Sequence, residues 1–242
     1  MASTPPSPEL LLAEELLLLA LDDEGGFDRT MGADGGLAGA LLLDLADREW
    51  LEDADGKLVP AASPPGGSTP PGVLGKALAV IESDSKPRDA KHWVRKLPSE
   101  LRPIKRHVAE LLVERGVLSA ERRKMLGFIP HDRYPEADPE PERALRERLR
   151  AELTGRADVS PRTALLVPLL RAYDLVQKLV DKDDRKQAKR RATQIADDPG
   201  KVGAAVRSAL TDTQIAVYVA VGSAVAVNAT DGGAGGGDGG GG

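Results

Sequence analysis

The first ordered pattern in the chain is a run of leucines over residues 9–21, interrupted by Glu14 and Glu15. A segment apolar nearly all the way round predicts a helix buried between others. Residues 37–46 continue the helical pattern with a small face of Ala38, Gly39 and Ala40, which allows close packing. The period then changes. Residues 48–51 and 57–59 flank Asp53-Ala54-Asp55-Gly56, the pattern of a β-hairpin closed by an Asp-Gly turn. A Pro/Gly/Ser loop over 61–72 leads to helices predicted at 73–83 and 90–97, and prolines predict a break over 98–103.

Residues 110–128, ELLVERGVLSAERRKMLGF, carry the most consistent local signals. Val108, Leu111, Leu112 and Val113 form one apolar helical face. Gly116 stops that helix where a left-handed residue is cheapest. Val117 and Leu118 follow as an apolar pair, and Ser119 stands as N-cap for a short helix starting at Ala120-Glu121-Arg122. After an acidic, proline-rich loop over 130–141, residues 142–153 predict a helix. Its apolar face holds Ala144, Leu145, Leu149 and Leu153, and its other side holds Arg143, Arg146, Arg148 and Arg150. A turn-rich connector over 154–162 precedes a long apolar helix over 163–180, kinked at Pro168. A charged helix over 181–196 and a last apolar helix over 203–227 follow. Residues 1–8 and 230–242 read as a disordered N-terminus and a flexible glycine-rich tail around one domain over 9–229.

Aromatic residues make up 3% of the chain, so the core must be Leu, Val and Ala, which favours helices over a β-sandwich. The expected fold is mainly α: a single globular domain with a helical bundle core, surrounded by further helices and short β-hairpins. With no cysteine there is no disulfide framework and no thiolate metal site. No signal peptide is expected at the N-terminus. The longest apolar runs, 10–21 and 215–227, are shorter than the roughly 20 residues a membrane span needs. The net charge of −5 is unevenly placed: residues 1–55 hold fourteen acids and two bases, a balance of −12, and the remainder carries +7. Such a split suits an acidic face and a basic face, or simply solvated helix surfaces.

Catalytic and cofactor motifs are missing. His92, His107 and His131 lie in unrelated segments without metal-ligand spacing, and Gly75-Lys76 is followed by Ala77 where a phosphate loop needs Ser or Thr. No enzyme activity and no cofactor are expected. What remains is cationic: eight Lys/Arg against two acids over 86–107, four arginines over 142–150, and six bases against two acids over 182–191. Guanidinium groups suit phosphate through bidentate, charge-assisted hydrogen bonds. Nucleic acid fits poorly, given the overall acidity and few aromatics for stacking. An anionic membrane surface fits better, at about 1 kcal/mol per nearby basic residue.

The segment Leu112, Val113, Glu114, Arg115, Gly116, Val117, Leu118, Ser119 resembles the Golgi phosphoprotein 3 family, and the resemblance extends over roughly residues 9–227, through Tyr173-Asp174-Leu175-Val176. Eukaryotic members read phosphatidylinositol-4-phosphate on Golgi membranes. The resemblance implies a cytoplasmic, non-enzymatic adaptor, peripherally associated with the membrane surface and binding anionic, phosphoinositide-like phospholipid head groups. Homo-oligomerisation would raise its avidity. The alternative is an interaction scaffold that grips short basic cytoplasmic tails of membrane proteins without direct lipid specificity. The family's head-group arginine on the helix after the hub carries over to Arg143, with Arg146 and Arg148 beside it; loop residues Arg29 and Arg133 are further candidates. The family's second-helix arginine falls on Ala38, and its tryptophan has no counterpart over 27–36. The resemblance places a self-association hairpin in the 154–162 connector. Composition and short loops point to a bacterial relative.

Overall fold

A computed structural model describes residues 9–22, 24–27, 33–64, 66, 69–125, 129–197 and 218–224. Its elements run α1 (Leu12–Ala20), α2 (Ala33–Asp47), β1 (Leu51–Ala54), β2 (Lys57–Pro60), α3 (Gly72–Ser83), α4 (Ala90–Glu100), α5 (Ile104–Glu114), β3 (Glu121–Met125), β4 (Ile129–Arg133), α6 (Glu140–Leu153), α7 (Pro161–Ala172) and α8 (Arg185–Asp197). A single 3-10 turn, Val176–Lys178, separates α7 from α8, and residues 218–224 are helical. The fold is mainly α, one globular domain around one leucine-rich core. The expected termini at 1–8 and 230–242 lie outside the described residues, as does most of the helix expected over 203–227.

The leucine helix sits where its sequence demands: every residue of α1 is buried, Glu14 and Glu15 included. Burying charge is costly unless it is paired and hydrogen-bonded, and the fold supplies partners. Glu14 accepts from the Leu11 amide at 2.6 Å and from Arg115 Nε at 2.8 Å. Glu15 accepts from Arg148 at 3.0 Å and lies 3.4 Å from Arg162 Nε. Asp44 of α2 reaches the start of α1, taking the Leu12 amide at 2.8 Å and the Ala13 amide at 3.1 Å. Those are first-turn amides that no intrahelical carbonyl can satisfy, so α2 caps α1 from outside. Burial pushes Asp44 up to about 7, against the pull of those two amides, Arg162 and Arg48. Part of the N-terminal acid excess is therefore interior rather than an acidic face.

α2 runs through the middle of the molecule and packs on α1, α3, α4, α5 and α7. The Asp-Gly hairpin forms as expected, with Asp55 and Gly56 both at positive φ (53° and 76°), as a tight right-twisting turn requires. Gly116 also stops α5 as expected, at φ +74°: the Gly116 amide returns to Val113 O and the Val117 amide to Leu112 O, both at 2.9 Å.

Five expectations need correction. Ser119 does not cap a helix. Its amide and hydroxyl both donate to Pro135 O, and the chain enters β3, which pairs antiparallel with β4 in the register Glu121↔Arg133 to Met125↔Ile129. Cross-strand pairing decides here over a local capping signal, and it also turns part of the loop expected over 130–141 into strand. The hairpin that the resemblance put in 154–162 is not there: 154–160 holds turns and no strand, and α7 starts at Pro161. α4 does not break at Pro98. It continues to Glu100 because Trp93, Val94 and Leu97 are buried on one face, and the Leu101 amide still closes on Leu97 O at 2.8 Å. The helix expected over 163–180 ends at Ala172, where Asp174 turns left-handed (φ 52°) and the Leu175 amide returns to Leu170 O at 2.8 Å.

Candidate functional site

The arginines of α6 follow from helix geometry. At about 100° per residue, positions 143, 146, 147 and 150 share one face, while Leu145, Leu149 and Leu153 face the core. The exposed face lines a groove of about 710 Å³, in which Arg143, Arg146 and Arg150 meet Arg156 and Lys178. Against those five cations stand Glu147 and Asp181, which leaves +3, and Leu179 and Val180 give the groove an apolar floor. Arg150 bonds Asp181, and Arg156 bonds Asp184 at 3.0 Å. Arg143 bonds Glu140 one turn back, and Arg146 bonds Glu142 at 2.5 Å. Arg143 remains 66% exposed, so its pairing is a solvated one that an incoming phosphate can displace.

Arg143 and Arg146 also border a second hollow on their other side, walled by Asp22, Glu136, Glu142 and Tyr134. There the balance is two cations against three acids. Glu136 is raised above the usual carboxylate range, first by burial, then by the charges of Glu142 and Asp138. Tyr134 is buried and packs on Phe27, ring centres 5.7 Å apart. The Gly25 loop lies directly on this corner: a Cβ at Gly25, which has φ +72°, would meet the Tyr134 carbonyl carbon at 2.2 Å.

Of the arginines named from sequence, the structure brings together only Arg143 and Arg146. Arg148 turns inward to Glu15, itself 4% exposed. Arg133 bonds Glu24 and lines a different cavity, of about 410 Å³, between α5 and the β3–β4 hairpin. Arg29 lies outside the described residues. Ala38 is fully buried, so the second helix offers no cation at that position. Three groove residues were missed: Arg150 was named only within a basic cluster, and Arg156 and Lys178 come from the turns after α6 and α7. Their spacing along the chain gave no sign that they converge. Lys105 is a further cation on this side of the molecule. It stands over the Phe27 ring at 5.6 Å and 3.5 Å from Asp34, where the second helix begins. The signal for it was the basic run over 86–107. Part of that run is spent locally, since Arg88, His92 and Lys96 surround Asp84 at 3.3 to 3.8 Å.

The fold and this surface define a helical protein with no described helix long and apolar enough to cross a membrane and a cation-lined groove on its outside. The family model for Golgi phosphoprotein 3 (GPP34) matches residues 12–213, and the chain belongs to that family. Among the described residues, no group of three or more His, Asp or Glu side chains could hold a metal ion.

Proposed function

We propose that this protein is a peripheral, non-enzymatic adaptor that binds anionic phospholipid head groups, phosphatidylinositol-4-phosphate-like, through the α6 groove. The carrying observation is the convergence of Arg143, Arg146, Arg150, Arg156 and Lys178 on one open concavity with only two acids. Guanidinium forks bind phosphate oxygens in pairs, and an open groove admits a head group still attached to its bilayer. Membership of the Golgi phosphoprotein 3 family supports the lipid class. In this reading Arg143 and Arg146 hold the head group, as the family resemblance implied for Arg143, while Arg148 is the internal countercharge of Glu15. Liposome sedimentation tests the reading. Replacing Arg143→Ala together with Arg146→Ala should release the protein from phosphatidylinositol-4-phosphate vesicles, and unchanged sedimentation would sink it.

A second reading has its own observation. The cavity between α5 and the β3–β4 hairpin is lined by Glu110, Glu114, Glu121 and Asp132 against Arg106 and Arg133. Arg106 already holds Glu110 at 2.8 Å, which keeps the Glu110 carboxyl below its usual range. The surplus acid suits a short basic tail of a membrane protein. Capture of a basic peptide by a variant that no longer binds vesicles would support this reading as an independent activity.

A further inference from the structure

The two charged helices treat their cations differently. On α6 the exposed arginines have acids one turn back, Glu140 for Arg143 and Glu142 for Arg146. Pairs at that spacing stabilise a solvated helix by themselves. α8 has no such acids. It buries Ala188, Ala192 and Ile195 and exposes Arg185, Lys186, Lys189 and Arg190. At 3.6 residues per turn those four fall within an arc of about 140°, and no acid occurs in the helix before Asp197. Lys189 reaches Asp174 at 3.2 Å; Arg185, Lys186 and Arg190 have no charged partner among the described residues. Arg191, off this arc, turns inward and donates to Glu152 O at 2.7 Å. A face of like charges repels itself, and of its four cations Lys189 alone has an acid beside it, Asp174.

The face also has a fixed relation to the groove. Arg156, on the groove rim, donates to Asp184 immediately before α8, and Gln187 of α8 donates to Thr154 O at 2.6 Å. α8 contains no aromatic residue on which a nucleic-acid base could stack. A surface of many phosphates needs only several cations on one exposed arc.

We infer that the outward face of α8 is a second membrane contact, an electrostatic one that engages anionic lipid without head-group selectivity and holds the groove at the bilayer. The inference rests on the lipid reading of the groove. Its test uses the full chain and vesicles of about one-third phosphatidylserine in phosphatidylcholine. Replacing Arg185, Lys186, Lys189 and Arg190 with Gln should lower affinity more than about tenfold and flatten its dependence on salt. The preference for phosphatidylinositol-4-phosphate over phosphatidylserine at matched charge should survive in this variant. Arg143→Gln with Arg146→Gln should do the reverse, losing the preference and keeping the salt dependence. An α8 variant that binds phosphatidylserine vesicles like the parent overturns the inference. So does a parent that binds duplex DNA through this face and leaves vesicles alone. A groove variant that keeps the preference removes the groove reading without touching α8. Thermal melting checks the fold of the quadruple variant, and the pair Lys186→Gln with Arg190→Gln, expected to give a smaller loss in the same direction, serves if the quadruple fails to fold.

Discussion

Arg143 and Arg146 stand on a ridge between two hollows of opposite character. On one side they join Arg150, Arg156 and Lys178 against Glu147 and Asp181; on the other they face Asp22, Glu136 and Glu142. The same two guanidinium groups thus belong to a site that attracts phosphate and to a neighbour that repels it. The difference comes from what the chain brings in from elsewhere. The turns after α6 and α7 deliver cations, while the loop after α1 and the segment before α6 deliver carboxylates. A motif on one helix does not define an anion site; the sum over all its walls does.

The largest expected effect removes both hollows together. Arg148 ties α6 to Glu15 of α1, and α1 is held by the Asp44 cap. Asp44 is raised in the folded state from 3.8 to about 7, so the folded protein holds this proton more tightly than the unfolded chain. Its contribution is full below pH 4 and is lost as pH climbs to about 7, a decline of up to about 4 kcal/mol. Denaturation across that window should show the slope, and Asp44→Asn should reduce it, leaving the share of Glu14 and Asp47, which burial also raises; a parent whose stability does not fall over the window would contradict the assignment.

Next in size is Arg143→Ala with Arg146→Ala, expected to cost about 2 kcal/mol of vesicle affinity, roughly thirtyfold. Flotation assays would measure it, although this pair cannot tell the two hollows apart. Glu136→Gln sharpens the comparison at the small end. Because Glu136 lines only the acidic hollow, vesicle affinity should stay within about twofold of the parent. A rise well beyond that would mean the head group enters on the acidic side.

The sequence was informative wherever one local rule settled the outcome. Continuous leucine placed α1 in the core, Gly116 and Asp55-Gly56 fixed two chain reversals, and the spacing of Arg143 and Arg146 put them on one face. It was misleading where partners came from far along the chain. Ser119 carries a good capping side chain, but the Pro135 carbonyl takes it, and the pairing of Glu121–Met125 with Ile129–Arg133 replaces the expected helix. Arg148 looked like its neighbours, yet five positions from Arg143 it lies about 140° round the helix, where Glu15, 133 residues away in sequence, receives it. The groove itself was only half legible, since Arg156 and Lys178 enter it from separate turns.

Arg150 and Arg156 line the cationic groove and take no part in the acidic hollow. Binding of the Arg150→Ala, Arg156→Ala double variant to phosphatidylinositol-4-phosphate vesicles is therefore the most direct measurement. The expected loss is about 2 kcal/mol, close to thirtyfold, with the thermal melt unchanged. Affinity equal to the parent's would contradict it.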